Sequence, residues 1–499
     1  MVRGWGDSGC TSKYLAIGRP YGIPVPDGGS RGSTRPRPPA VGRFAPPRWP
    51  GKPLGVTVDQ VDVDRIFRPQ TYAVGVPYEL FAQLRAARAV WWVREPAVGA
   101  WPAGPGYWAV LRHAEVKQVL RTPGVFSSYL GATQIRDPDS SADLEFARTM
   151  MLNQDPPEHA RLRRIVAAAF TPRALGELSA AIEECARELV NSVREVGQAD
   201  FVRLAAELPV RVLARVLGVP EQDRQLLVDW SNRVIGYQDA DYADSCTVDP
   251  ASLTELGRTA LAARPATRTT PDGRPVNPRS RAALADMFAY AHGLAVNPRP
   301  GSLLARMREG GLSTQEFETA FFLFAVAGNE TVRNGLPGGL LSLLSHPAQH
   351  RLLLAQPELL GSAVEEMLRF WPPVVSFRRT ATCEVDLGGV RIGRGQKVVV
   401  YHAAANRDGA VFRDPDRFDL TRTPNDHVSF GFGPHFCLGA QLARMQYRAM
   451  IRAMLELPGL EPATGAPPGR LVSNFQNGLK ELPVRWAPNR STRTASTPT

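Results

Sequence analysis
The 499-residue chain contains only five cysteines, Cys10, Cys185, Cys246, Cys383 and Cys437, scattered and odd in number. None falls in a Cys-x-x-Cys pair, which argues against a disulfide framework and against a structural zinc site. Long apolar runs are also missing. The longest, Phe321 to Gly328, is far below the roughly 20 residues that a membrane span requires. With no apolar stretch near the N-terminus, the expectation is a cytoplasmic protein without a membrane span. A body of strong charge is lacking too, although the formal net charge is +11. Residues 1–53 hold seven Arg and two Lys against Asp7 and Asp27, and Arg490 and Arg493 lie near the other end, so the stretch between carries a surplus of only two. That near-neutral body gives no compositional case for nucleic acid as a partner. No repeat of fixed period is visible.

Hydrophobic residues make up 43% of the chain, enough for a large core. Residues 1–53, rich in Pro, Gly and Arg without periodicity, read as a disordered extension. Residues 54–488 read as the globular body, and 489–499 as a disordered tail. Within the body, Tyr78 to Arg85 has helical spacing, Tyr107 to Leu111 reads as a strand, and His113 to Leu120 as a helix. Beyond Asp155 long amphipathic helices dominate, with further strands between Glu384 and Val400. The expected fold class is mainly α with small β-sheets. Between helices ending near Ile235 and starting near Arg281 lies a long break that includes the Pro-rich residues 264–275, where a helix cannot continue.

The chemistry concentrates in Phe430-Gly431-Phe432-Gly433-Pro434-His435-Phe436-Cys437-Leu438-Gly439, followed by the helix formers of Ala440 to Gln446. A free cysteine is ordinarily a small buried hydrophobe. Here the glycines clear bulk around the sulfur, and a helix N-terminus beside it favours the anion. Phe430, Gly431, Gly433, His435, Cys437 and Gly439 fill every fixed position of Phe-Gly-x-Gly-x-His-x-Cys-x-Gly, and the block resembles the heme-binding loop of the cytochrome P450 family. The resemblance covers roughly residues 58 to 488 and implies a triangular helical prism, with heme b (iron protoporphyrin IX) bound through the thiolate of Cys437 as metal ligand. Without Cys-x-x-Cys-His, no covalent heme attachment is expected.

A second motif lies in the apolar stretch from Thr319, which turns polar at Ala327-Gly328-Asn329-Glu330-Thr331. It resembles the family's oxygen-binding helix. Gly328 would leave room for a small ligand and permit a local bulge, Thr331 would hydrogen-bond O₂, the co-substrate, and Glu330 would bring in protons from solvent. Pro337 predicts a kink downstream. His159 and Arg163 share one helical face, and burying two heme propionates requires such cations. In the family the matching residues bind the propionates, and Arg379 and His435 match the remaining anchors. Glu366 and Arg369, at i,i+3, match a buried structural pair that joins an arginine of a later meander, for which Asn406 to Phe418 is the counterpart here. The equivalent of residues 264–275 is a lid over the substrate pocket; the longer segment here is either that lid or a surface insertion.

The implied activity is monooxygenation of a hydrophobic small molecule. Because no flavin or ferredoxin domain is fused to the chain, a ferredoxin and ferredoxin reductase would supply the electrons. Tyr72 to Trp92, the Asn153-Gln154-Asp155 approach and Ala327 to Asn334 are similar to actinobacterial hydroxylases of sterol side chains and methyl-branched lipids. A tailoring hydroxylase of polyketide or terpenoid metabolism is the alternative. Glu330 and Thr331 speak against a heme-thiolate isomerase or peroxygenase, and the absence of a signalling module against a heme sensor.

Overall fold
The computed structural model describes residues 62–98, 101–244, 246–266 and 276–488. The expected extension and tail, and residues 267–275 of the long break, lie outside the described residues.

A 31-residue helix, Thr314–Leu344, forms the axis of the helical part. Its start is fixed by a capping box in which the Ser313 hydroxyl accepts from the Glu316 N–H (3.3 Å) while the Glu316 carboxylate accepts from the Ser313 N–H (2.8 Å). The sequence is apolar around its whole circumference because the helix is packed on several sides, by Phe201–Leu217, Arg224–Ile235 and Leu360–Phe370. Phe317, Phe321, Phe322, Leu336 and Leu340 are buried there in one large core. Gly328 and Pro337 both lie inside this continuous helix, and flanking elements hold it in register where propensity alone would weaken it.

The sheet part comprises five strands in the order Val90–Val93, Tyr107–Val110, Lys397–Tyr401, Ser376–Ala381 and Phe126–Ser127. The pairing of Tyr107–Val110 with Lys397–Tyr401 is parallel, and the others are antiparallel. Period-two alternation sends Tyr107, Val399 and Tyr401 into one apolar cluster and Trp108, Val398 and Val400 into another, so both faces are covered. The long break after Ile235 contains short helices at Ala240–Ala243 and Glu255–Ala262 before the helix Ala285–Val296 begins. Sequence reasoning missed both because each is too short to show a period. Among the described residues no single helix is long and apolar enough to cross a membrane.

Candidate active site
The cysteine loop is pinned on two sides. Gly431 and Gly433 have φ of +73° and +72°, a region that side chains with a Cβ disfavour. A Cβ at Gly433 would also lie 2.8 Å from the Leu120 carbonyl oxygen and 2.9 Å from Arg121 Cα, so glycine lets the loop lie against the helix His113–Arg121. The Cys437 N–H donates to the Phe430 carbonyl (2.9 Å), and the helix Ala440–Leu455 follows at once. The Cys437 side chain is exposed, yet enough protein surrounds it that burial pushes its thiol up from the ordinary value. The Gly439 N–H, Arg163 and Arg444 act against that rise without cancelling it. The Gly439 N–H at the helix terminus thus favours the thiolate, in the direction expected from the sequence, and a bound cation would complete the balance.

Beside the loop four basic side chains face one another. His159, at the start of the helix Glu158–Ala167, lies against His435 with ring centres 4.0 Å apart and the rings tilted by 39°. Arg163, one turn on, donates to the Phe436 carbonyl (2.8 Å). Arg379 is buried, and the alternation of its strand turns it away from Arg378, which goes to Asp137 (2.6 Å). Burial, then Arg163 and Arg379, lower the His159 pKa to about 4; burial, then Arg379, His159 and Arg163, lower that of His435 to about 2. Burial takes Arg379 down to about 10. The carboxylate acting on Arg379 is Asp155, whose oxygens already accept from Ser127 Oγ (2.5 Å) and the Ser128 N–H (2.8 Å). Two histidines held below their ordinary pKa by burial and by the two arginines, gathered with those arginines beside the Cys437 thiol, fit an iron porphyrin with two propionates.

A cavity of about 420 Å³ adjoins this cluster. Phe377 lines it and, being two residues from Arg379 on the same strand, shares that face. Ala327, Glu330 and Thr331 line it from the central helix. Gly328 does not: a Cβ there would meet Leu213 Cδ1 at 3.1 Å, because 100° per residue turns position 328 toward the neighbouring helix. Its smallness serves helix packing rather than ligand space. The Thr331 hydroxyl donates to the Ala327 carbonyl (2.9 Å), which leaves its oxygen free to accept.

Glu330 is fully buried, so protons reach it from solvent only by way of neighbouring groups. Its Oε1 accepts from the Tyr242 hydroxyl and from Asn334 Nδ2 (3.0 Å), while Oε2 has no partner. Sequence reasoning missed both donors. Asn334 was legible in principle, four residues along the helix; Tyr242, 88 residues away, was not.

Glu366 and Arg369 are fully buried and paired through both oxygens at 2.7 and 2.8 Å. Arg369 also donates to the carbonyls of Asn406 (2.9 Å), Pro415 (2.7 Å) and Arg417 (3.1 Å), and the arginine that joins Glu366 is Arg422 (3.1 Å). Asn406 ties this unit to the cysteine loop, accepting from the Val428 N–H (2.9 Å) and donating to Ser429 Oγ (2.7 Å).

The family model described as Cytochrome P450 matches residues 301–470. The chain is 36% identical to a steroid C26-monooxygenase of Rhodococcus jostii, over 84% of this chain and 83% of the relative. It is 35% identical to a methyl-branched lipid omega-hydroxylase of Mycobacterium tuberculosis, over 79% and 89% respectively. A crystal structure of a Mycobacterium marinum cytochrome P450 in complex with pseudoionone superposes with a TM-score of 0.70 at 33% identity, covering 86% of this chain and 99% of that one.

Proposed function
Since the chain belongs to the cytochrome P450 family and is a P450 monooxygenase, we propose that it inserts one oxygen atom of O₂ into a C–H bond of a lipid, with a sterol side chain or a methyl-branched chain as the favoured target. Electrons come from a ferredoxin and its reductase. The thiolate of Cys437 would hold the iron of heme b, and His159, Arg163, Arg379 and His435 would hold its propionates. The observation that carries this assignment is the gathering of His159, Arg163, Arg379 and His435 beside Cys437, where burial lowers the pKa of all four and an anion among them would offset that cost.

When bound, the heme iron with its thiolate ligand supplies O₂ activation, the thiolate pushing electron density toward O–O cleavage. The residues of the chain contribute orientation and protons. Thr331, its proton committed to the Ala327 carbonyl, presents a fixed acceptor to the cavity. Glu330 is oriented by Tyr242 and Asn334 through Oε1, which leaves Oε2 to hold a proton and pass it on. Because Glu330 is sealed from solvent, its proton is replenished through neighbouring side chains, with Tyr242 in direct contact. Apolar lining such as Phe322, Val326 and Phe377 excludes water and suits a hydrocarbon substrate.

The test is the spectrum of the reduced protein with CO. Wild type shows the strongly red-shifted Soret band of thiolate ligation, and Cys437→Ala loses it. A histidine-like band from folded wild-type protein overturns the assignment. Optical titration with sterols, fatty acids and macrolides then sorts the substrate classes.

A further inference from the structure
Arg279 lines the same cavity as Ala327, Glu330 and Thr331. Its guanidinium carbon lies 4.6 Å from the centre of the Tyr237 ring and 6.0 Å from that of Phe475, so it is flanked by aromatic faces. Among the described residues no carboxylate pairs with it. Burial lowers its pKa from the ordinary value, and the group acting in the other direction is Tyr237.

The other charges in the lining are differently placed. Lys397 holds Glu95 (2.8 Å) and Asp137 (2.9 Å), and Arg378 holds Asp137 as well (2.6 Å). Tyr242 and Asn334 hold Glu330. Arg136, the second cation in the lining, lies in the field of Glu95 and Asp139 and donates to the Pro102 carbonyl (3.3 Å). Asp139 and Asp143 also line the cavity, and Asp139 acts on Arg136, whereas the half-buried Arg279 has no carboxylate acting on it among the described residues. The Tyr237 ring offsets part of the cost of burying this charge; an anion entering the cavity would offset more, and the planar fork matches a carboxylate through two parallel hydrogen bonds.

Building on the monooxygenase reading above, we propose that Arg279 receives the carboxylate of an acid-headed lipid, whose hydrocarbon chain extends through the cavity toward Ala327 and Thr331. The substrate class is then a long-chain carboxylic acid rather than a neutral sterol, and oxidation falls on the hydrocarbon away from the head group.

The experiment uses the full heme-loaded chain. Hexadecanoic acid, methyl hexadecanoate, hexadecan-1-ol and cholesterol are titrated into wild type, Arg279→Gln, Arg279→Lys and Arg136→Gln, with affinity read by calorimetry and by the optical shift of the ferric heme. Wild type should bind the acid about tenfold or more tightly than the ester, as a desolvated charge-assisted pair implies. Arg279→Gln should bring acid and ester to parity without weakening the ester, and Arg279→Lys should keep part of the preference. Should Arg279→Gln fail to retain heme, Arg279→Met, of similar length and uncharged, takes its place. Equal binding of acid and ester by wild type overturns the proposal. So does a preference that survives loss of the Arg279 charge, a preference abolished by Arg136→Gln but not at Arg279, or tighter binding of cholesterol than of the acid. Calorimetric affinity needs no turnover. Failure of the monooxygenase reading would show in the CO spectrum and in the absence of product, whereas failure here shows in the acid-to-ester ratio.

Discussion

The cysteine loop and the cavity beside it are built in different ways. The loop from Phe430 to Gly439 is one continuous segment whose glycines, backbone hydrogen bonds and following helix are set within about a dozen residues. Arg369, Glu366, Arg422 and Asn406 lock it from outside, in a unit with almost no exposure. The cavity draws its walls from segments as far apart as Phe67 and Gln476. Its polar groups act across those gaps, as Tyr242 does on Glu330. The loop is thus a rigid holder defined by a short pattern, whereas the cavity is a space left between elements, shaped by whatever each of them presents.

The sharpest way to break the comparison is to unlock the holder. Arg369→Ala leaves the Glu366 carboxylate buried with Arg422 as its remaining cation, and losing one partner of a buried pair costs about 3–5 kcal/mol. Thermal unfolding should fall steeply and heme content with it; a variant that keeps both would show that the lock is dispensable.

A change on the cavity side should leave the holder intact. Glu330→Gln should retain heme and the CO spectrum while slowing product formation about 100-fold, since proton transfer by a positioned acid contributes that order of rate. Tyr242→Phe, which removes one donor to the same carboxylate, should slow it by about tenfold and shift the pH profile of turnover. Thr331→Ala should keep folding and heme but divert reducing equivalents from product to hydrogen peroxide. NADH consumed, peroxide and product measured together decide these cases, and unchanged coupling in Thr331→Ala removes that residue from the reading.

The smallest effect concerns pH and sharpens the holder half. His159, His402 and His435 have pKa values held below that of an unfolded histidine, by burial first and by neighbouring cations second. A depressed histidine adds stability above its unfolded pKa, and that stability is lost as pH falls from about 6.5 toward the folded value near 4. The apoprotein should therefore lose about 5 °C or more in Tm between pH 7 and pH 5. Heme should shrink that loss, because propionates beside His159 and His435 make their protonation less costly. Equal acid sensitivity with and without heme would separate these histidines from the propionates.

The amino-acid sequence by itself determined the elements whose cause is local. The loop pattern, the apolar helix turning polar at Glu330, the i,i+4 pair His159 and Arg163, and the alternating strands near Val400 are each written within one or two turns or a few strand residues. It also determined the family, because those patterns occur together and in order. It misjudged Gly328, since a helical position says which residues share a face but not which face meets a cavity. It showed the helix N-terminus that favours the thiolate but not the burial that opposes it. Only the tertiary structure decided that Glu330 is sealed from solvent and clasped by Tyr242, that Arg422 completes the Glu366 pair, and that Arg279 lines the same cavity as Thr331 with no carboxylate paired to it among the described residues. The reason is physical: desolvation and long-range pairing depend on what surrounds a group in space, and chain neighbours fix only a small part of those surroundings.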